Sequence, residues 1–201
     1  MPSMMIHLLA AHKLQAEPDA LFCIGTVAPD AVKTREDKDK THFRILPDRE
    51  EALANLARNT SEGDWFGEGV LLHLYLDWLW DEQGYHVFAK HHREEGWFLT
   101  YRNEIAKAGS YIFHHYSWSK KAFLKMLSCP VEQYGQTPGA SKTEVSDMIK
   151  RNYLWHNGND IGPSEFFSPA FVEDFTSKAA DQYKVWRKKI KDNKLYKNMG
   201  A

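Results

Sequence analysis

Cysteine is scarce in this sequence, and the few cysteines present form no motif. Cys23 and Cys129 are the only two cysteines among 201 residues, and they do not form a Cys-x-x-Cys pair. Two isolated thiols give no disulfide framework and are typical of a protein from a reducing compartment. We therefore expect a cytoplasmic protein.

The N-terminal segment lacks the features of a targeting or membrane-spanning sequence. Residues 1–15 have no basic stretch ahead of an apolar segment, and His7 and His12 interrupt the apolar residues. A signal peptide needs both features, and a membrane span needs a longer run without such interruptions. We expect no signal peptide and no transmembrane segment.

Neither sign of charge is in excess. The chain has 26 basic and 27 acidic residues and a formal net charge of −1. This balance gives no broad basic surface, so we expect no general nucleic-acid binding. A hydrophobic content of 43% over 201 residues suits an ordinary globular protein with one sizeable core. We expect residues 1–201 to form a single domain.

Signals for β-strands are nearly absent. Only residues 20–28, ALFCIGTVA, fit a short strand, and they fit a buried loop equally well, whereas the densely charged residues 33–42 resemble a solvated loop. Capping residues and apolar periodicity predict helices elsewhere: residues 4–16, 49–58, 69–82, 85–95, 97–108, 118–128, 141–155 and 168–193, with a break at 129–141. The predicted fold class is all-α, a compact single-domain multi-helix bundle.

The most informative segment is residues 69–82, GVLLHLYLDWLWDE, which is apolar on almost every side of a predicted helix. A helix with this pattern is buried. His73, Asp77 and Asp81 follow one another at a spacing of four, which places them on one stripe roughly 80° wide. Buried carboxylates cost several kcal/mol unless a positive charge compensates them. The stripe therefore requires a counter-charge.

Two sources of that counter-charge are open. Arginine or lysine side chains from other helices could supply it, or a metal ion could. No Arg or Lys lies within residues 69–82, which favours the metal ion. Mixed imidazole and carboxylate ligands without cysteine suit Zn, Mn or Fe.

Further candidate ligands occur in an order that resembles a known family. His7 lies on the first predicted helix, Asp30 ends the segment Gly25-Thr-Val-Ala-Pro29-Asp30, and His42 precedes the His73-x-x-x-Asp77 pair. This order is similar to that of the zinc-dependent phospholipase C family and its distant relatives, the single-strand-specific zinc nucleases. The similarity covers residues 1–95, and the remainder matches only in its helical content.

The resemblance implies a ligand set. Asp30, His42, His73 and Asp77 would hold one metal ion, and Asp77 could bridge to another ion that also takes His7. Asp81 stands where the family usually has a further histidine, and it remains a competent oxygen ligand. A histidine and glutamate pair of the family is matched loosely by His91 and Glu95. The expected cofactor is zinc, as one or two ions, with Mn or Fe as alternatives.

The resemblance also implies an activity. It predicts a hydrolase that cleaves a small phosphate ester, either a phosphodiester or a phosphomonoester, with a metal-activated water. Asp30 is in the position of the carboxylate that orients or deprotonates that water. The alternative is a non-catalytic metal-binding or interaction protein on the same scaffold. The residues do not specify an oligomeric state.

Overall fold

The computed structural model describes the backbone of residues 2–199 and the side chains up to residue 192. It is built from α-helices, and the described residues contain no β-strand. The α-helices are α1 (Met4–Leu14), α2 (Ala20–Val27), α3 (Arg35–Thr41), α4 (Arg49–Asn59), α5 (Trp65–Trp80), α6 (His86–His91), α7 (Trp97–His115), α8 (Ser119–Ser128), α9 (Lys142–Gly158) and α10 (Pro169–Met199). The predicted compact all-α fold is confirmed.

The segment 20–28 is not a strand or a loop, as its composition suggested, but mostly the helix α2. Asp19 caps this helix, since its side chain accepts a hydrogen bond from the Leu21 N–H at 2.7 Å. The helix ends in a short 3-10 turn, Ala28–Ala31, with Pro29 in its first positions. Tertiary packing outweighs the weak helix propensity of this apolar, partly β-branched segment.

The charged segment 33–42 is also helical, because it contains α3. Thr34 caps the helix, and pairs at a spacing of four, including Lys40 with Glu36, stabilise its exposed surface. Residues 35–41 remain exposed or half-buried. The helix therefore forms without an apolar face. Its C-terminal cap, His42, is buried in the interior.

Helices α2 and α5 lie unusually close together because two glycines face the opposite backbone. A Cβ atom on Gly25 would come within 2.0 Å of the Phe66 carbonyl oxygen, and one on Gly69 within 2.3 Å of the Phe22 carbonyl oxygen. Only glycine permits this approach. The contact holds α2 against the first turns of α5, and the Thr26 carbonyl near the end of α2 lies 2.9 Å from the Nδ1 atom of His73 on α5.

Other predicted helices differ mainly in their limits. Helix α5 begins at Trp65, behind the cap Asp64, and after Trp80 it continues through a π-helical turn, Asp81–Tyr85, into the short α6. Helix α7 runs to His115, beyond the predicted end at residue 108.

Among the residues that the structure describes, no helix is both long and apolar enough to cross a membrane.

The last helix closes the core. The Trp80 ring packs against Phe167 and Phe175, with ring centroids 5.0 Å apart in both contacts. Further along α10, the buried Arg187 guanidinium donates to both the Glu68 carboxylate of α5 and the Ala57 carbonyl of α4. These contacts hold α10 against α5, which carries part of the candidate site, and against α4, which lies next to α5.

Candidate metal centre

Four separate elements bring five polar residues together in the interior. They are His7 from α1, Asp30 from the 3-10 turn after α2, His42 from the end of α3, and His73 with Asp77 from α5. Two groups of potential ligand atoms result, each with all its atoms within 4.8 Å of one another. One group contains His42, His73 and Asp77, and the other contains His7, Asp30 and His73. The residues could hold a metal ion.

The backbone fixes the orientation of two imidazole rings. The Nδ1 atom of His42 lies 2.8 Å from the Lys38 carbonyl oxygen, and Nδ1 of His73 lies 2.9 Å from the Thr26 carbonyl oxygen. A carbonyl can only accept a hydrogen bond, so Nδ1 carries the proton in both rings. Each Nε2 atom of a neutral ring then offers a lone pair. Metal-binding histidines are commonly oriented in this way, by a hydrogen bond from the ring nitrogen that does not bind the metal.

The two Nε2 atoms face each other at 3.2 Å. Burial, followed by the neighbouring His7, lowers the pKa of His73 to about 3. Burial also lowers the pKa of His42, despite the opposing charges of Asp77 and Asp30. Both rings are therefore neutral near pH 7, and two lone pairs meet with no proton between them. A cation placed between these atoms removes the repulsion.

The separations of the donor atoms suit a small divalent cation. Donor atoms bound about 2.0–2.1 Å from a tetrahedral zinc ion lie about 3.3–3.4 Å apart. The His42 and His73 Nε2 atoms are 3.2 Å apart, and His42 Nε2 is 3.6 Å from Asp77 Oδ2. Burial raises the pKa of the Asp77 carboxyl, but its contact with His7 and, at acid pH, the charge of protonated His73 hold that pKa well below the usual value, so Asp77 is ionised near pH 7. Geometry and protonation both fit a divalent cation.

His7 is the second unusual feature of the cluster. Its ring stacks on His73 with centroids 4.0 Å apart, and its Nε2 atom lies 3.3 Å from Asp77 Oδ1. Within the described residues, no hydrogen bond of acceptable geometry is made by either ring nitrogen of His7. The same is true of Asp77 Oδ1. His73 has only one free lone pair, since its Nδ1 is protonated, so the two ligand groups compete for it. The arrangement fits one ion at His73, with His7 available beside it.

Asp30 lies at the more open edge of the cluster. Its side chain is 14% exposed and receives a hydrogen bond from the Lys38 ammonium at 3.3 Å. Burial raises the pKa of the Asp30 carboxyl, but the charge that His73 carries when it is protonated at acid pH, together with the Lys38 ammonium, outweighs burial and lowers that pKa. Asp30 is thus an ionised carboxylate between the buried histidines and the surface.

Asp81 is paired with arginines. Its carboxylate receives hydrogen bonds from Arg44 Nε at 2.9 Å and Arg49 Nη1 at 2.7 Å. Arg44 also donates to Asp77 Oδ2 at 3.1 Å, so one guanidinium joins two carboxylates of the predicted stripe. In the described part of the chain, Asp81 belongs to neither group of potential ligand atoms. Basic side chains therefore supply part of the counter-charge, which was the alternative left open by the sequence.

The structure does not bring His91 and Glu95 to the cluster. Both side chains are exposed, and His91 Nδ1 donates to the Val87 carbonyl of its own helix at 2.8 Å. Neither residue belongs to a group of potential ligand atoms among the described residues. Helix α6 is short and ends at His91, so the pair never forms the continuous helical face that the sequence suggested.

Two functional candidates were missing from the sequence-based set. Lys38 and Arg44 flank the cluster, and their side chains are 23% and 22% exposed. The sequence feature that could have identified Lys38 and Arg44 is their position four residues before and two residues after His42. In a densely charged segment this signal does not stand out from the other basic residues.

Comparisons with known proteins add no relative. A scan against protein-family models, a search of characterised proteins and a search of solved structures each found no match. The similarity to the zinc-dependent phospholipase C family stays a prediction.

Proposed function

We propose that this protein is a metal-dependent hydrolase of phosphate esters, with zinc as the ion that the donor set suits best. The observation that carries the proposal is the pair of imidazole Nε2 atoms that face each other at 3.2 Å while both Nδ1 atoms donate to backbone carbonyls. A carboxylate, Asp77, completes a mixed nitrogen and oxygen donor set. Such a set is typical of hydrolytic zinc sites.

The charges around the cluster favour a phosphate over a neutral substrate. Lys38 and Arg44 place two partly exposed cations beside Asp30 and Asp77. Cations at such an edge neutralise phosphoryl oxygens and hold the ester in place. When bound, a divalent ion would supply Lewis-acid stabilisation and lower the pKa of water. Asp30 is ionised and partly exposed, so it can accept the proton of an attacking water.

One observation favours a second candidate, a non-catalytic metal-binding protein. The side chains of His7, His42, His73 and Asp77 are all 0% exposed. Structural zinc sites are closed in this way, whereas catalytic sites keep an open position. In this alternative the ion contributes to folding, and Lys38 and Arg44 only balance the charge of Asp30, Asp77 and Asp81.

Both candidate functions predict bound metal, but only the hydrolase predicts turnover of a phosphate ester. The test is metal content per chain, together with hydrolysis of para-nitrophenyl phosphate and its bis ester, for wild type, His73→Ala and His91→Ala. We expect wild type and His91→Ala to hold metal and hydrolyse at least one ester, and His73→Ala to lose both. Metal without turnover in wild type supports the non-catalytic candidate. Full metal content in His73→Ala contradicts both.

A further inference from the structure

A cleft of about 400 Å³ lies beside the candidate metal centre. It is large enough for an organic ligand, because a buried cavity of about 150 Å³ already accommodates benzene and ligand pockets begin at about 300 Å³. Its apolar walls come from α4, α5 and the segments next to the cluster: Pro29, Phe43, Leu56, Val70, Leu74 and Pro138.

The cleft and the metal centre share the same elements. Pro29 precedes Asp30, and Phe43 follows His42. On α5, the cleft residues Val70 and Leu74 lie seven and three positions before Asp77, which places all three on one face of the helix. A molecule in the cleft therefore lies along α5, within one or two helical turns of the Asp77 carboxylate.

Phe43 links the two regions through its backbone. It has a φ angle of 58°, in the left-handed region that an aromatic side chain rarely adopts. The flanking residues, His42 and Arg44, both direct their side chains at Asp77, while Phe43 itself lines the cleft. Strain of this kind is characteristic of functional sites.

One polar atom in the cleft has a hydrogen-bonding capacity that is not used. Thr137 lines the cleft and is only 7% exposed, and its Oγ1 atom has no hydrogen-bond partner in the described part of the chain. A buried hydroxyl without a partner costs about 1–3 kcal/mol. Thr60 also lines the cleft, but its hydroxyl already donates to the Leu56 carbonyl at 2.9 Å. Rotation of the Thr137 side chain about χ1 would turn this hydroxyl into the cleft, where a ligand could satisfy it.

The charge of the cleft disfavours an anionic ligand. Among the described residues, no lysine, arginine or histidine lines it, and its one charged side chain is the carboxylate of Asp64. The phosphate of an ester has no partner there, in contrast to the edge of the metal centre with Lys38 and Arg44. The cleft suits the neutral part of such a molecule.

We infer that this cleft binds the neutral, ring-sized organic group of the substrate, and that Thr137 Oγ1 forms a hydrogen bond with a hydroxyl or ester oxygen on that group. The assignment to a substrate rests on the proposed phosphoesterase function. The binding of a neutral aromatic group is a property of the cleft alone and can be measured without turnover.

The probe is naphthol, a neutral aromatic alcohol, titrated by its own fluorescence against wild type and three variants. Thr137→Val removes the unpaired hydroxyl and keeps the shape of the side chain, and Thr60→Val is its matched control. Asn59→Trp fills the cleft from the exposed last residue of α4, so the larger side chain does not replace a core residue. Melting temperatures of all variants establish that they are folded.

We expect saturable binding to wild type, unchanged binding to Thr60→Val, about fivefold to tenfold weaker binding to Thr137→Val, and none to Asn59→Trp. We also expect naphthyl phosphate to be cleaved with a higher kcat/KM than methyl phosphate, and Asn59→Trp to abolish that preference. Absence of saturable naphthol binding, or undiminished binding to Asn59→Trp, overturns the inference. Naphthol binding without hydrolysis of any ester leaves the cleft assignment standing and contradicts the proposed function.

Discussion

Replacing Gly25 by alanine should loosen the metal centre from a position that contributes no ligand. The new Cβ atom would lie 2.0 Å from the Phe66 carbonyl oxygen, so α2 and α5 must move apart by more than about 1 Å to restore normal contact. Thr26, the next residue, holds His73 through its carbonyl at 2.9 Å. The displacement therefore weakens both the packing of the two helices and the orientation of the imidazole.

The size of the effect follows from two opposing contributions. Overpacking a close contact costs typically about 1–3 kcal/mol, and backbone is less able to yield than a side chain. Alanine returns up to about 1 kcal/mol of helix propensity. We expect a net loss of about 2 kcal/mol, equivalent to a fall in melting temperature of roughly 4–8 °C in a chain of this size. The lost support of His73 should weaken metal affinity about tenfold to a hundredfold.

The assay is thermal unfolding and zinc titration of Gly25→Ala beside the matched variant Gly158→Ala. Gly158 ends α9 with no described heavy atom within 4 Å of an added Cβ, so its replacement should be neutral or slightly stabilising. Equal melting temperatures for the two variants, or unchanged zinc affinity in a destabilised Gly25→Ala, would refute the reasoning.

Three further results are expected. Asp30→Asn should lower the turnover of a phosphate ester by about a hundredfold or more while metal content per chain is retained, because an amide cannot accept a proton; proportional loss of both would make Asp30 a ligand only. Glu68→Ala should lower the free energy of unfolding, measured by urea denaturation, by about 3–5 kcal/mol, because it leaves the buried charge of Arg187 without its carboxylate partner. The matched control Asp174→Ala removes an exposed ion pair and should lower it by less than about 0.5 kcal/mol. Burial, with His114, lowers the pKa of His156 from 6.5 to about 4, so the unfolded chain binds more protons between these values and stability falls as pH drops through them. His156→Gln should remove up to about 3 kcal/mol of that pH dependence, and an unchanged pH profile would contradict the assignment.

The sequence predicted the fold class and the centre of the candidate site because both follow from strong local signals. A helix that is apolar on every side must be buried, and the spacing of His73 and Asp77 places both side chains on one face. Caps such as Ser141, and the break at 129–141, predicted helix limits that the structure confirms to within a few residues.

The differences arise where tertiary contacts decide the structure. Helix α2 packs closely on α5 because Gly25 and Gly69 each lie against the backbone of the opposite helix. No local sequence pattern reveals this close contact. The arginines that engage Asp81 lie 37 and 32 residues away in the chain, so the pairing of carboxylate with guanidinium is invisible to helical periodicity. His91 and Glu95 satisfied a spacing rule that applies only within a continuous helix, and α6 ends at His91.

The most direct test of the account is a crystal structure of zinc-loaded protein with anomalous diffraction recorded above and below the zinc edge. The account predicts an anomalous peak within about 2.0–2.2 Å of His42 Nε2, His73 Nε2 and a carboxylate oxygen of Asp77. Protein that is zinc-loaded in solution but shows no peak at these atoms, with the two Nε2 atoms still facing each other at hydrogen-bonding distance, would contradict it.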